Sequence, residues 1–415
     1  METYIDILKN NNQEHLLQYI KNADNRQKEK LIKEIVNIDF EQLNNLYSIS
    51  ARDNKKAIEG VIIEHINFVD KYKIRKEEFN TYKLKGEEII KNGKYAVVTM
   101  AGGQGTRLGH NGPKGTFLLN ISPKPKYLFE ILADGIKRAN KKYGVTINWY
   151  IMTSTENNDK TMEFFKEHDY FGYPSDKVKF FKQGNLPILD NNGKLLIDEK
   201  LDIKVAADGN GCIYKSIKNN GILDDMKKNN IKWIFIGSVD NVLLNMIDPV
   251  LLGLTICEGN EIGSKSVVKR NPEEPVGVFC KKGNKPAVIE YTELPKEMAK
   301  EIDEDGELLF GESHIMCNLY SIDALEKISK NDLPYHSAYK KTKYMDESGN
   351  IINSEVPNSY KYETFIFDGF AFFDNISILR GRREEDFAPV KNAEGEDSPK
   401  TAIELYNNYW KNQEI

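Results

Sequence analysis

The chain has 415 residues, which predicts two or three domains, or one large α/β domain with an appendage. Hydrophobic residues make up 40% of it and charged residues 29%, as is typical of a water-soluble globular protein. Its formal net charge of −5 comes from both signs scattered along the chain, so the basic face of a nucleic-acid-binding protein is not expected.

Targeting and redox signals are also weak. The first residues lack a basic stretch followed by an apolar core, so no signal peptide is predicted. The most apolar stretch is interrupted by Asp240, Asn241 and Asp248, so we expect no membrane span and a cytoplasmic protein. The cysteines are too far apart for a metal-ligand pair or a redox dithiol, and we expect them to be buried free thiols: Cys212, Cys257, Cys280 and Cys317.

Residues 1–90 form the first predicted segment. Apolar residues recur there at intervals of three and four, notably within residues 5–20 and 31–36. This spacing places them on one face of a helix, so the segment is predicted to contain several amphipathic helices. We favour a structural helical cap on the next domain over a partner-binding role.

From residue 95, short apolar runs alternate with helix-like stretches such as residues 127–140 and 159–168. Several runs are apolar on both faces, as in buried parallel strands. The alternation predicts an α/β fold with a Rossmann-like, mixed and mostly parallel sheet flanked by helices. The predicted strands are residues 95–100, 147–152, 178–181, 231–236, 266–268, 287–289, 315–319 and 364–367.

A glycine-rich loop follows the first of these strands, with four glycines within residues 102–109. Glycine lets the backbone approach a ligand closely, and successive N–H groups can line an anion site. Arg107 and Lys114 add two cations. We therefore expect the loop to bind a polyphosphate.

Other loop types fit this stretch less well. A Walker loop requires Ser or Thr after its lysine, whereas Gly115 follows Lys114. The spacing from Gly103 to Gly109 is one residue too long for a dinucleotide-binding fingerprint. A purely structural glycine loop would not need the nearby arginine and lysine.

A second candidate site residue is Asp240, which follows the predicted strand 231–236. Ligands of doubly wound sheets bind beyond the carboxyl ends of the strands, and a carboxylate there can hold Mg²⁺ together with phosphate oxygens. The alternative is an aspartate that caps the next helix. Beside the glycine-rich loop, we favour the metal ligand.

Ordered motifs between about residues 96 and 392 resemble those of the UDP-N-acetylhexosamine pyrophosphorylases, within the UDP-sugar pyrophosphorylase family. Residues 336–349 and 357–370 are more similar to that branch than to the glucose branch. The motifs are AGGQGTRLG from residue 101, PKGTF from 113, KQGNLPIL from 182, DGNGCIY from 208, GSVDNVLLNMIDP from 237, PVGVF from 275, VIEYTELP from 288, YKYETFIFDGF from 360 and APVKNA from 388.

The resemblance implies a uridylyltransferase that joins UTP to a sugar 1-phosphate, N-acetylglucosamine 1-phosphate above all, releasing pyrophosphate with Mg²⁺ as cofactor. It implies catalytic cations at Arg107, Lys114 and Lys391 and a magnesium ligand at Asp240. It also implies nucleotide contacts at Ala101, Gly102, Gly103, Gly105, Gln183 and Gly209, and sugar contacts at Asn210, Gly277, Glu290, Asn318, Phe365 and Phe367.

The residues themselves leave some of these roles open. For Glu290 the alternative is a polar residue that ends the apolar run of residues 286–291, and we favour the contact with sugar hydroxyls. Phe365 and Phe367 share one face of a predicted strand, where core packing is the alternative to a sugar-pocket wall. The family motif GNGGLY appears here as GNGCIY from residue 209, and the motif NHF appears as NLY from residue 318, so the choice of sugar stays open. His110 is expected to face solvent.

The expected organisation is a helical segment 1–90, a catalytic domain 91–392 and a short helix within 393–415, where family members continue into a β-rich domain. A monomer is favoured. The alternatives to the proposed enzyme are a UTP–glucose-1-phosphate uridylyltransferase, a non-catalytic UDP-sugar-binding protein and, more remotely, a dinucleotide-dependent oxidoreductase.

Overall fold

The computed structural model describes residues 3–50 and 62–413, with only the backbone of Ile49. The chain divides into two compact units, each assembled from three separate stretches. The smaller unit comprises Met1–Glu59, Gly184–Cys212 and Leu333–Ile366, and the larger unit comprises Gly60–Gln183, Ile213–Asp332 and Phe367–Ile415. The predicted segments 1–90, 91–392 and 393–415 are contiguous, whereas these units interleave because distant stretches share one core.

The larger unit contains an 11-stranded mixed sheet. Strand Glu312–Ser321 is antiparallel to both of its neighbours on the main path, and all other neighbouring pairs on that path are parallel. The main path runs Val69–Asp70, Ser377–Arg380, Ile262–Val268, Glu312–Ser321, Trp233–Ser238, Tyr95–Met100, Asn148–Thr153 and Val178–Lys182. An antiparallel branch contains Ile63–Glu64, Val278–Lys282 and Lys285–Ile289. The predicted mixed, mostly parallel sheet is confirmed.

Helices accompany this sheet. Strand Tyr95–Met100 is buried along its whole length, as its continuous apolar sequence predicts. The face of helix Leu128–Tyr143 that packs on the core is apolar, and the helix ends at Gly144, whose φ of 68° is left-handed. The helices of the larger unit are Lys76–Lys91, Leu128–Tyr143, Asn158–Glu167, Ile213–Asn219, Ile222–Lys228, Pro249–Cys257, Ile322–Ser329, Arg383–Asp386 and Pro399–Gln413.

The smaller unit has its own core. Its helices are Tyr4–Asn10, Leu16–Asn22, Asn25–Val36 and Phe40–Ser50. Their apolar faces pack against residues from much later in the chain, including Leu189 and Tyr362. Its strands are Asn185–Pro187, Leu189–Asp190, Val205–Ala207, His336–Lys340, Tyr344–Met345, Ile351–Ile352 and Ser359–Glu363. The amphipathic helices predicted before residue 50 are present, although Val36, assigned to an apolar face, is 54% exposed.

One predicted strand is wrong. Residues 364–367 do not form a strand: they follow strand Ser359–Glu363 and enter the 3-10 helix Ile366–Phe372. The Thr364 carbonyl accepts from the Gly211 N–H at 2.9 Å, and the Ile366 N–H donates to Asn210 Oδ1 at 2.7 Å. These bonds to a neighbouring loop replace a strand ladder, so Phe365 and Phe367 do not share a strand face.

The cysteines partly follow expectation. All four are free, and Cys212, Cys280 and Cys317 are buried. Cys257 is exposed, contrary to the prediction, because it is the last residue of helix Pro249–Cys257. Within residues 3–50 and 62–413, none of the helices has the length and apolar character needed to cross a membrane.

Candidate active site

The candidate active site of the larger unit begins where four parallel strands end. Ala101 follows strand Tyr95–Met100, and Asp240 lies two residues beyond strand Trp233–Ser238. These strands are parallel neighbours in which Ser238 pairs with Met100, so the segments that follow them leave the sheet at the same edge. Gln183, which follows strand Val178–Lys182, leaves at this edge too, because its N–H donates to the Thr153 carbonyl at 2.8 Å.

The glycine-rich loop is closed by its own backbone. The Gly105 N–H donates to the Gly112 carbonyl at 2.9 Å, and the Lys114 N–H donates to the Gly103 carbonyl at 3.1 Å. A Cβ on Gly102 would lie 2.2 Å from Gln183 Oε1, so this glycine lets the predicted nucleotide residue Gln183 lie against the loop. Nothing lies within 4 Å of the Cβ position of Gly103, where the loop is open.

The two loop cations differ in their surroundings. Arg107, in the 3-10 turn Thr106–Leu108, is exposed. Lys114, in the turn Lys114–Thr116, has a side chain only 17% exposed, and its Nζ lies 2.8 Å from Asp240 Oδ2. His110 does not simply face solvent: it is half-buried, with Nε2 2.8 Å from Thr116 Oγ1.

Asp240 is held in its ionised form. Burial raises the pKa of its carboxyl group, but the charges of Lys114 and then Lys391, with hydrogen bonds from Lys114 and Ser238, outweigh burial. The net pKa is therefore lower than the ordinary value. An ionised carboxylate at a strand end is the form that can bind a cation.

Lys391 joins this cluster from the far end of the chain. The N–H of the preceding residue, Val390, donates to the Asp240 carbonyl at 2.9 Å. The Lys391 side chain is 42% exposed, and its Nζ lies 3.6 Å from Asp397 Oδ2. The structure thus brings Lys114, Asp240 and Lys391 together, three residues that the sequence placed in separate motifs.

Asn157 is a loop-supporting residue that sequence reasoning missed. It is fully buried, and its Nδ2 donates to the carbonyls of Ala101 at 2.9 Å and Gly103 at 3.3 Å. Its Oδ1 accepts from the Ser154 N–H at 2.8 Å. The sequence signal for Asn157 is weak: it is one polar residue soon after a predicted strand. The carbonyls that it contacts are 54 and 56 residues away in the chain, so no local pattern reveals them.

The sugar residues predicted in the larger unit surround His314. The His314 N–H donates to the Gly277 carbonyl at 2.9 Å, and its ring packs edge-on against Phe367 at 5.7 Å. A Cβ on Gly277 would come within 3.4 Å of Glu290 Oε1. Gly277 thus lies beside both Glu290 and His314, and Phe367, which packs on the His314 ring, is buried as core packing would require.

Asn318 completes this group. It is fully buried, and its Oδ1 lies 2.8 Å from Ser264 Oγ and 3.1 Å from His314 Nε2. Burial lowers the pKa of His314 to about 4, although the bond to Asn318 opposes that shift, so the imidazole is neutral at pH 7. His314 was not among the predicted site residues.

The remaining predicted residues belong to the smaller unit. Gly209 has a φ of 87°, and a Cβ there would lie 2.2 Å from the Thr364 carbonyl oxygen, so only glycine fits. Asn210 Oδ1 accepts from the Ile366 N–H. The half-buried Phe365 packs against His336, with ring centroids 4.5 Å apart.

The protein side chains supply only part of the ligands that a magnesium ion needs. No group of three histidine, cysteine or carboxylate side chains suited to a metal occurs in the described part of the chain. Mg²⁺ in phosphate-transfer sites is commonly bound by one or two carboxylates plus substrate phosphates, and it keeps several waters. The single ionised carboxylate of Asp240 matches that pattern.

Comparison with known proteins identifies the family. A family model described as UTP–glucose-1-phosphate uridylyltransferase matches residues 39–406. The chain belongs to this uridylyltransferase family. Within it, the human UDP-N-acetylhexosamine pyrophosphorylase-like protein 1 is 38% identical over 332 residues, 77% of this chain and 65% of the relative. The chain therefore spans just under two thirds of the length of that relative.

Other members of the uridylyltransferase family are covered more fully. The UDP-N-acetylglucosamine pyrophosphorylase of Saccharomyces cerevisiae is 38% identical over 339 residues, 79% of this chain and 71% of the relative. The solved structure of the uridine diphosphate N-acetylglucosamine pyrophosphorylase from Trypanosoma brucei superposes with a TM-score of 0.82 at 29% identity, covering 97% of this chain and 83% of that chain. The resemblance inferred from the motifs is confirmed.

Proposed function

We propose that this chain is a uridylyltransferase that joins UTP and N-acetylglucosamine 1-phosphate to give UDP-N-acetylglucosamine and pyrophosphate. The observation that carries the proposal is the cluster of Lys114, Asp240 and Lys391 beside an open glycine-rich loop. Cations and a metal-competent carboxylate beside a phosphate-binding loop are the groups that phosphoryl-type transfer needs. The proposal includes a monomeric, cytoplasmic enzyme, as the sequence predicted.

The proposed reaction is an in-line displacement at the α-phosphorus of UTP. A phosphate oxygen of the sugar 1-phosphate forms the new P–O bond, while the bond from the α-phosphorus to the bridging oxygen breaks and its electron pair leaves with pyrophosphate. The attacking oxygen is already anionic at neutral pH, so no general base is required. The enzyme's work is therefore positioning and charge neutralisation.

The cations divide this work. Arg107, exposed on the loop, and Lys114, at its far end, would bind the β- and γ-phosphates of UTP and stabilise the charge that develops on pyrophosphate. Lys391 would neutralise the phosphate of the incoming sugar. Asp240 would hold Mg²⁺, which supplies charge neutralisation and orientation of phosphate oxygens when bound.

Ala101, Gly102, Gly103, Gly105 and Gln183 would hold the uridine. The nucleotide contact that the resemblance implies for Gly209 stays a prediction. In the larger unit, sugar recognition would use Gly277, Glu290, Asn318 and Phe367. The sugar contacts that the resemblance implies for Asn210 and Phe365 stay predictions. The relatives named as UDP-N-acetylglucosamine pyrophosphorylases support the N-acetyl sugar over glucose. Glucose 1-phosphate with the same mechanism is the second candidate, because the family model is described by that sugar.

The deciding experiment is pyrophosphate release from UTP and Mg²⁺ with the 1-phosphates of N-acetylglucosamine, N-acetylgalactosamine, glucose and galactose. The proposal expects the highest kcat/KM with N-acetylglucosamine 1-phosphate. Release with glucose 1-phosphate alone would keep the mechanism and overturn the choice of sugar. A folded protein that binds UDP-sugar but releases no pyrophosphate with any of them would be a non-catalytic binding protein. A parallel titration with NAD tests the oxidoreductase alternative, for which binding is required.

A further inference from the structure

Asn241 follows Asp240 directly, and both the nitrogen and the oxygen of its buried side-chain amide form hydrogen bonds. It is 2% exposed. Its Nδ2 donates to the Asp386 carbonyl at 2.7 Å, and its Oδ1 accepts from the Ala388 N–H at 2.8 Å and the Leu243 N–H at 3.2 Å. One side chain thus ties the chain after strand Trp233–Ser238 to a stretch more than 140 residues later.

That later stretch leads directly to Lys391. The backbone of the two stretches is joined by Val242 N–H to the Ala388 carbonyl at 3.1 Å and by Val390 N–H to the Asp240 carbonyl at 2.9 Å. Their pairing is an isolated bridge between Asn241 and Pro389 rather than a strand ladder. Four hydrogen bonds thus join residues 240–242 to residues 386–390, and the Asn241 amide makes two of them.

The stretch from Asp386 to Lys391 begins at a buried cluster of charged side chains. Asp386 Oδ1 lies 2.6 Å from the Nζ of Lys265, which also lies 2.7 Å from Asp248 Oδ2. Burial lowers the pKa of Lys265, but the charges of Asp248 and Asp386 outweigh burial and raise the net pKa well above the ordinary value. Lys265 thus stays charged, and Asp248 also caps helix Pro249–Cys257.

Replacing a buried ion cluster of this kind by well-packed apolar residues is often neutral or stabilising, so net stability alone does not account for the cluster. Here the groups joined are a helix start, a central strand and the stretch that ends at Lys391. A lateral error of about 1 Å in a charge that stabilises a transition state can cost about a hundredfold in rate.

We propose that Asn241 is a positioning residue of the transfer reaction: its amide, anchored through Asp386 to Lys265, fixes Lys391 against Asp240. This inference rests on the proposed function for its catalytic consequence, but its structural content is independent of the substrate. Asn241 is not expected to touch UTP or the sugar phosphate.

The test compares Asn241→Ala and Asn241→Ser with wild type by steady-state kinetics and by amide hydrogen exchange. We expect kcat to fall about tenfold to a hundredfold, with KM for UTP changing less than about threefold. We also expect faster exchange at the Val242 and Val390 amides. The serine variant, which leaves a smaller cavity and a polar atom, serves if the alanine variant does not fold.

A double-mutant cycle separates positioning from general destabilisation. If Asn241 acts through Lys391, Asn241→Ala should lower kcat less than about threefold further in a Lys391→Ala background. Asn140 supplies the matched control, because its amide also makes two hydrogen bonds, to Tyr173 and Ile147, away from the cluster. Asn140→Ala should lower the melting temperature and leave kcat unchanged.

The outcomes are distinct. An unchanged kcat in Asn241→Ala, or full additivity with Lys391→Ala, would overturn the catalytic role. A wild-type protein that releases no pyrophosphate from any sugar phosphate would defeat the proposed function instead. In that case, unchanged protection of the Val242 and Val390 amides in the Asn241 variants would still overturn the positioning claim.

Discussion

The ammonium group of Lys114 lies 2.8 Å from the carboxylate of Asp240, and both side chains are less than one fifth exposed. The two residues come from different strand ends, and each is assigned by the proposed mechanism to phosphate chemistry. Without substrate they neutralise each other. In the proposed mechanism, phosphate oxygens entering this site would compete with Asp240 for Lys114, and phosphate binding would then free a carboxylate that can bind a metal ion.

Replacing either loop cation should disable the enzyme. Lys114→Ala and Arg107→Ala are each expected to lower kcat by at least roughly a hundredfold, because each removes a charge that the proposed mechanism assigns to stabilising the leaving pyrophosphate. Lys141→Ala, on the exposed face of helix Leu128–Tyr143, is the matched control and should retain wild-type kcat. Near-normal turnover in a folded Lys114→Ala protein would remove that residue from the mechanism.

The pH dependence of thermal stability in acid should reveal the contribution of the Lys114–Asp240 ion pair. The pKa of Asp240 is below its ordinary value of 3.8, so the pair's contribution is fully present above the unfolded-state pKa and is lost as pH falls through the folded pKa. We expect the melting temperature of Asp240→Asn to differ from wild type by a constant amount between about pH 7 and pH 5, and the difference to shrink below about pH 4. A difference that already shrinks near neutral pH would contradict the lowered pKa.

The buried Asn157 should govern nucleotide affinity. Asn157→Ala removes the side-chain donor to the Ala101 carbonyl and one of the two donors to the Gly103 carbonyl, which keeps its bond from the Lys114 N–H. We expect KM for UTP to rise about tenfold, corresponding to ~1.4 kcal/mol, with little change in KM for the sugar phosphate. Equal increases in both constants would indicate a general loss of structure, which thermal unfolding would reveal.

Glu290 should act on the other substrate. Its carboxylate lies near Gly277 in the group around His314, so Glu290→Ala should raise KM for the sugar 1-phosphate much more than KM for UTP. Glu290→Gln, which keeps an acceptor oxygen, should recover part of the loss. Parallel effects on both substrates would favour the alternative in which Glu290 merely closes an apolar run.

Local pattern predicted much of this architecture. Continuous apolar runs located the central parallel strands, and the three-to-four spacing located the first helices, because burial on two faces or on one stripe leaves a direct trace in sequence. The antiparallel direction of strand Glu312–Ser321 left no such trace. At residues 364–367 the alternation of aromatic and other residues resembles that of a strand. In the structure these residues instead form hydrogen bonds to Asn210 and Gly211 and do not pair with a strand.

The site was predictable only in its motifs. Arg107, Lys114 and Asp240 stand in recognisable local contexts after apolar strands. Asn157, Asn241 and His314 do not, because each acts on partners supplied by the fold. The Lys265–Asp386 pair joins residues 121 positions apart, and a single sequence contains nothing that connects them.

The interleaved smaller unit has a consequence for how the polypeptide emerges from the ribosome. Helices Tyr4–Asn10 to Phe40–Ser50 are made first, yet their core partner Leu189 is synthesised about 140 residues later and Tyr362 later still. At about 5–20 residues per second, the apolar faces of these helices wait on the order of ten seconds for the first partner. During that interval they are natural binding sites for nascent-chain chaperones, and the unit can close only when translation has passed residue 362.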